Sequence, residues 1–516
     1  MLLRLILITL LSVLSVAHAG TAFKNKRKLK RVKLKDTIIM EVRRKLRNKS
    51  TTVKSIRYIK NYKSRTYFAI AKIDPNNKSF DLESIKSNDD VLWVRYDRQY
   101  IGEFRESTPN DTLFSKQHHH TIMRSVEAWK NMPRGNKNII VAVTDDGFAI
   151  DHEDLKNNWA YNKKEIPNNG IDDDQNGYVD DVVGWDFNEN DNNPGDGGGS
   201  GDHGTHCAGI VSATIGNGKG VAGFGNQVKV MPLKFYGKNG WKSSMVLEAY
   251  TYAANNGAKI ISTSYNIDGM VSDKIYQEAV DYAYSAGVLI LNSAGNGYRN
   301  NPTRQINQKV LLVGASQSGA SKNSWDKKAN FSNYGWGVDL FAPGNPIHST
   351  MPKGKYADMS GTSMATPAAA GLAAVIWSMN PTWTREQVAN ALVNSAVNID
   401  EQNPKYKTLM GLGRIDFLNA VMGNYRASEI YKTEVNMKDS EVVVWVNGIV
   451  NPFSVRKIVR FRTTNKLHKL QLKKPAFVGT NKIVLKIPRG IKGGKVVIDG
   501  TATDYLGNTV TINLVK

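Results

Sequence analysis

Ile139-Ile-Val-Ala-Val-Thr-Asp145-Asp-Gly147 is the stretch from which the fold is read. Its first five residues are all apolar, with no polar alternation, the pattern of a parallel strand covered on both faces. An acid placed directly after such a strand stands at the carboxyl edge of an open α/β sheet, where these folds build their sites. Two other stretches complete the reading: Gly201-Asp-His203-Gly-Thr-His206-Cys-Ala-Gly209 and Gly361-Thr-Ser363-Met-Ala-Thr-Pro367. Ser363 opens a run of apolar and small residues to Met379, which predicts a buried helix. A serine at a helix start has unpaired backbone N–H groups and the positive dipole end beside it. Read alone, Asp145 is a turn residue and Ser363 a helix cap. Together, an acid, a base and a hydroxyl in that order point to nucleophilic catalysis, in which the base takes the hydroxyl proton and the acid orients the base.

With their flanks, residues 111–423 resemble the subtilisin-like serine proteases, and the leading edge of that region looks most like the thermitase branch. The order Asp, His, Ser is that of subtilisin, not of chymotrypsin or the α/β-hydrolases. The resemblance implies an α/β subtilisin-like fold, a mostly parallel sheet between helices, and serine endopeptidase activity on proteins or peptides. It assigns the acid to Asp145 rather than Asp146, the base to His203 and the nucleophile to Ser363. Ser293-Ala-Gly295-Asn296-Gly matches the family's Ala-Gly-Asn frame and nominates Asn296 as a side-chain donor to the oxyanion. Ser264, Tyr265, Asn266 and Gly295 should line the substrate cleft. Ser264-Tyr-Asn266 stands where Ser-x-Gly is usual, so Asn266 should narrow that cleft, and Pro302-Thr-Arg304 replaces the commoner Tyr-Pro-Ala below the specificity pocket. Both departures leave the preferred P1 residue open.

Rival readings are weaker. Zinc on His203 and His206 would need further ligands; His206 reads as a packed, hydrogen-bonded histidine and Cys207, the sole cysteine, as a small core residue. Gly-Thr-Ser-Met-Ala is not the Gly-x-Ser-x-Gly elbow of lipases and esterases. A catalytically silent adhesin would have no need of all four residues.

The chain of 516 residues carries a net charge of +23, which is uneven. Residues 20–110 hold 24 Lys/Arg against 10 Asp/Glu, and residues 425–516 hold 17 against 6, leaving about −3 between them. A basic total confined to the flanks, without a nucleic-acid motif, argues against nucleic acid as a partner. Residues 1–19 form an apolar segment with a lone Arg4 and Ala17-His-Ala19 before Gly20, a secretory signal too short for a membrane span. The expected protein is therefore a secreted, extracellular monomer. Residues 20–106 read as an inhibitory propeptide domain of α+β type, with a helix near 38–46 and strands near 66–73 and 91–96. The peptidase domain should occupy 107–424. Residues 425–516 show short β-rich runs at regular spacing, near 441–446, 455–462, 466–472, 482–487, 495–498 and 509–515, the mark of a small basic β-sandwich. Its charge suits an anionic surface polymer.

Two calcium sites are expected. Asp172-Asp-Asp174-Gln-Asn176-Gly177 has the Asp-x-Asp-x-Asn-Gly spacing that curls oxygens about Ca²⁺, without a glutamate at the twelfth position. The second follows from the resemblance alone and comprises Asp111, Asp154 and Asn217.

Overall fold

A computed structural model describes residues 29–46, 53–60, 66–73, 82–102, 108–132, 139–195, 201–225, 228–237, 240–265, 267–306, 309–474, 477, 479 and 482–512. The signal segment 1–19, Asn266 and part of the expected processing segment, 103–107, lie outside them. The chain divides into two compact units, 1–107 and 108–516.

The first unit is a four-stranded antiparallel sheet in the order β2-β3-β1-β4, with β1 Leu29–Val42, β2 Val53–Lys60, β3 Tyr67–Ile73 and β4 Val91–Gly102. The helix expected near 38–46 is instead the end of β1. Ile38, Met40 and Val42 are buried at two-residue spacing while Ile39 and Glu41 are less so, a period that suits a strand and not a helix. Among the described residues, this unit's helix is Leu82–Lys86.

The second unit is built on a seven-stranded parallel sheet, β11-β10-β9-β8-β5-β7-β6. Its strands are β5 Ile140–Asp145, β6 Trp185–Asp186, β7 Lys229–Lys234, β8 Ile260–Thr263, β9 Leu289–Ser293, β10 Val310–Gln317 and β11 Leu340–Asn345. Val141 and Val143 join one core with the helices Asp202–Ser212 and Thr362–Met379; Ala142 joins the other with Ser243–Asn255 and Lys274–Ser285. Both faces are thus covered, which is why the strand could be uniformly apolar. Strand order reverses around β5, between β7 and β8, so the ends of β5 and β8 open a crevice.

A hairpin, β12 Ile347–Met351 and β13 Lys355–Met359, follows. Beyond it stand β14 Glu429–Asn436, β15 Glu441–Asn447, β16 Val459–Arg462, β17 Leu467–Lys469, β18 Gln471–Leu472, β19 Lys482–Lys486, β20 Lys495–Ile498, β21 Ala502–Thr503 and β22 Thr509–Ile512. They form sheets of six (β18-β19-β15-β14-β22-β21) and three (β17-β16-β20) strands around a core of their own. The strand expected over 455–462 is split. Asn451 caps a helix, Pro452–Ile458, by accepting the Phe453 N–H at 3.0 Å, and Pro452 suits its first turn. β14 was not anticipated. These sheets also pack on the catalytic part. Ile449, Tyr505 and Leu506 enter its core, and the Trp336 and Tyr431 rings stack 4.1 Å apart.

Candidate active site

Asp145 ends β5, and His203 is the second residue of the helix Asp202–Ser212. Close packing brings them together: a Cβ on Gly204 would meet Gly147 O at 2.3 Å and Asp145 Cβ at 2.9 Å, so only glycine lets the helix approach. His203 Nδ1 lies 2.8 Å from Asp145 Oδ1. A carboxylate accepts, so Nδ1 carries the proton and Nε2 is left as the base. Asp146 turns away, accepting the Gly204 N–H at 2.8 Å, and burial pushes its carboxyl up to about 6. Burial works against protonation of His203, but the Asp145 carboxylate outweighs it and holds the imidazolium well above its ordinary range.

The shift fixes a pH dependence. A raised histidine pKa stabilises the fold below about 6.5, and that contribution fades as pH passes the folded value. A base must be neutral, so activity should move the opposite way. The rate against pH should climb along an acid limb lying above pH ~6.5, while stability from the pair declines over the same interval. An acid limb at or below 6.5 in kcat/KM would contradict this reading.

Ser363 is the second residue of Thr362–Met379, a helix with all but its last residue buried. Pro367 has no N–H to give the Ser363 carbonyl four residues earlier. That carbonyl accepts from Ser264 Oγ at 3.1 Å and from the Cys207 thiol at 3.5 Å. Ser363 Oγ donates to Ser264 O at 3.0 Å, so it must rotate to reach His203. Asn296 Oδ1 is engaged by Thr362 N–H at 2.9 Å and Thr362 Oγ at 2.8 Å, which orients the amide. A Cβ on Gly361 would lie 3.4 Å from Asn296 Nδ2 and 3.5 Å from Ser363 N. The Asn296 amide nitrogen and the Ser363 N–H thus both lie beside Gly361, close to the start of the helix.

Asp145, His203 and Cys207 also group closely enough to hold a metal. Burial pushes the Cys207 thiol up to about 11, so it is neutral at ordinary pH. His206 is wholly buried, with Nε2 donating to Ile347 O and Ala357 O at 3.1 Å each, and desolvation lowers it to about 4.

Two recesses flank Ser264. One, about 280 Å³, is lined by Ser264, Gly295, Asn296 and Ser363 together with Asp268, Arg299 and Arg304. The other, about 390 Å³, has a wall of Phe235, Tyr236, Trp241 and Tyr265. Tyr265 packs 4.4 Å from Phe235 and 5.4 Å from Trp241. Tyr265 and Arg304 stood out in the sequence; Phe235, Trp241, Asp268 and Arg299 did not, because no local pattern marks them.

The acidic loop gathers Glu165, Asp172 and Asp174, whose oxygens lie within 4.8 Å of one another. Glu165 was missed, lying outside the Asp-x-Asp-x-Asn pattern. Glu165 Oε2 and Asp174 Oδ1 are buried without a hydrogen-bond partner, which fits a cation. Asn176 faces elsewhere: its Nδ2 donates to Asp181 and its Oδ1 accepts from Tyr178 N. Asp111, Asp154 and Asn217 are also brought together. Asp111 accepts from Gly216 and Asn217 N–H, and Asp154 from Asn217 Nδ2 and Val221 N–H. Lys219 is drawn off to Glu153 at 3.0 Å.

A strand-end carboxylate bonded to a histidine, with a serine at the start of a buried helix across the crevice, defines a serine-hydrolase type of site. Residues 136–413 match the subtilase family, Peptidase_S8. Thermitase from Thermoactinomyces vulgaris is 34% identical over 318 residues, 61% of this chain and 99% of that protein. A thermophilic serine proteinase from Bacillus sp. (strain AK1) is 31% identical over 316 residues, 61% of this chain and 69% of its own length. A protease structure from Pseudoalteromonas arctica PAMC 21717 aligns with TM-score 0.46 and 26% identity over 61% of this chain and 99% of that one. The chain belongs to the subtilase family and is a serine-type endopeptidase acting on proteins or peptides. Among the described residues, no helix is long and apolar enough to cross a membrane.

Proposed function

We propose that the protein is a secreted endopeptidase, made as a self-processing zymogen, with Ser363, His203 and Asp145 as its triad. The 2.8 Å bond from His203 Nδ1 to Asp145 carries this reading, because it leaves Nε2 basic on the residue facing the crevice. Ser363 Oγ attacks the scissile carbonyl carbon as its proton passes to His203 Nε2. Asn296 Nδ2 and the Ser363 N–H receive the negative oxygen. The C–N bond then breaks as His203 returns the proton to the leaving amine, and water, deprotonated by the same histidine, hydrolyses the acyl-enzyme. An apolar substrate side chain would rest on the Tyr265–Trp241 wall. Casein hydrolysis blocked by a serine-directed phosphonate, with the label on Ser363, is the expected result; hydrolysis untouched by the phosphonate would refute the assignment.

Residues 20–106 would act as the inhibitory propeptide, released by cleavage near 103–110. The protein would work as a monomer, and its basic C-terminal sheets would hold it on an anionic surface polymer through contacts weakened by salt.

Calcium would be held by Glu165, Asp172 and Asp174, supplying structural charge neutralisation and no step of catalysis. Cation binding between Asp111, Asp154 and Asn217 would have to displace Asn217 Nδ2 from Asp154. A ligand bound only by the folded state adds RT ln(1 + [L]/Kd), about 4 kcal/mol at a thousandfold saturation. Excess EGTA should therefore lower the melting temperature far more than the initial turnover, and Glu165→Gln should remove part of that sensitivity. Identical melting with and without chelator would eliminate the calcium claim.

A further inference from the structure

Among the described residues, the wall of the 280 Å³ recess beside Ser363 holds no aliphatic or aromatic side chain. Its depth is set by an ion pair. The Arg304 side chain is 4% exposed; its Nη1 donates to Ser293 O at 2.5 Å and Ser293 Oγ at 2.9 Å, and its Nε to Asp268 Oδ1 at 2.8 Å. A Cβ on Gly295 would come within 3.3 Å of Arg304 Cζ and Nη2, so the guanidinium lies directly behind that pocket-lining glycine. A second arginine stands at the rim. Asn333 Oδ1 pins the Arg299 backbone by accepting its N–H at 2.7 Å. Its side chain passes over Gly297, is 63% exposed, and brings Nη1 only to 3.8 Å from Asp268 Oδ2.

One carboxylate therefore faces two guanidiniums. The buried Arg304 is paired with the part-exposed Asp268, and Arg299 adds a positive charge held by a long, solvent-reaching contact. We infer that this recess takes an acidic P1 side chain, glutamate foremost, with Arg299 as the specificity-determining residue. A glutamate carboxylate entering the recess can pair with the planar Arg299 fork, which matches carboxylate geometry. An apolar P1 side chain would strip water from serine, asparagine and arginine groups without replacing those hydrogen bonds, which a polar site punishes. A lysine would bring a third cation to one carboxylate already engaged.

The inference rests on the protease reading proposed above, and the test keeps the two apart. Matched peptide anilides differing only at P1 (Glu, Gln, Phe, Lys) are assayed for kcat/KM with the full chain after processing, alongside active-site labelling by a fluorophosphonate. Wild-type enzyme should cleave the Glu substrate at least about tenfold faster than the Phe or Gln substrate, the scale of one hydrogen bond to a charged group. Arg299→Ala should collapse the Glu/Gln ratio toward one, and Arg299→Glu should shift preference to Lys. A labelled enzyme that prefers Phe, or a Glu/Gln ratio unmoved by Arg299→Ala, would overturn the specificity while leaving the protease reading intact. Absence of both labelling and cleavage would overturn the protease reading itself.

Discussion

Ser363→Ala is expected to abolish turnover and to leave the chain uncut between its two compact units. In subtilisin itself, losing the nucleophile costs about 10⁶ in turnover, and that relative sets the scale. The geometry gives no substitute. Ser264 Oγ is committed to the Ser363 carbonyl, and Cys207 lies behind the histidine, 3.8 Å from Nδ1, with its thiol neutral. Asn296→Ala should cost less, about a hundred- to a thousandfold, again the value known from subtilisin, because the Ser363 N–H remains. Mass spectrometry of the expressed chain reads the processing directly. If the alanine variant carries the same mature amino terminus as wild type, some other protease makes the cut. Residual casein hydrolysis within tenfold of wild type would discard Ser363 as nucleophile.

Asp504→Ala is expected to destabilise the catalytic part strongly although it lies far along the chain from any site residue. Asp504 is 2% exposed, and its Oδ2 accepts from Asn390 Nδ2 at 3.3 Å, Asn394 Nδ2 at 3.1 Å and Asn508 Nδ2 at 3.0 Å. Its Oδ1 accepts the Leu506 and Asn508 N–H groups. Asn390 and Asn394 belong to the helix Arg385–Asn394 and are fully buried. Alanine would leave two buried amides without this acceptor, each costing about 1–3 kcal/mol, for a total of roughly 2–6 kcal/mol. Denaturant unfolding in a Ser363→Ala background, where self-digestion cannot interfere, measures it. A midpoint unchanged from the parent would mean that the C-terminal sheets only lean on the helix. On the same grounds, a chain ending at residue 423 should be less stable, since it uncovers the core reached by Ile449, Tyr505 and Leu506.

Much of the site was legible because its parts are short and local. The run Ile139–Val143 announced a strand covered on both faces, and such a strand ends in a known place, so Asp145 could be placed. Gly361, Ser363 and Pro367 lie within seven residues and describe a helix start. The first unit was harder. Ile38, Met40 and Val42 show a two-residue period, but neighbouring Ile39 is also apolar, and the continuous apolar stretch mimicked a helix face. Near 455–462, Asn451-Pro452 was the signal for a helix start, and a β-rich surrounding hid it.

The sequence by itself determined the class of sheet, the order of the chemical groups and the helix that presents Ser363. The sheet class and the helix start depend on local spacing, where backbone periodicity leaves little choice, and the order of the groups is read directly along the chain. Only the tertiary structure decided which partners meet from far apart. It set Glu165 beside Asp172 and Asp174, closed Arg304 on Asp268 with Arg299 above them, and tied Asp504 to a helix more than a hundred residues earlier. The reason is physical. A buried polar group must find a partner wherever packing places one, and neither propensity nor pattern along the chain encodes which distant group that will be.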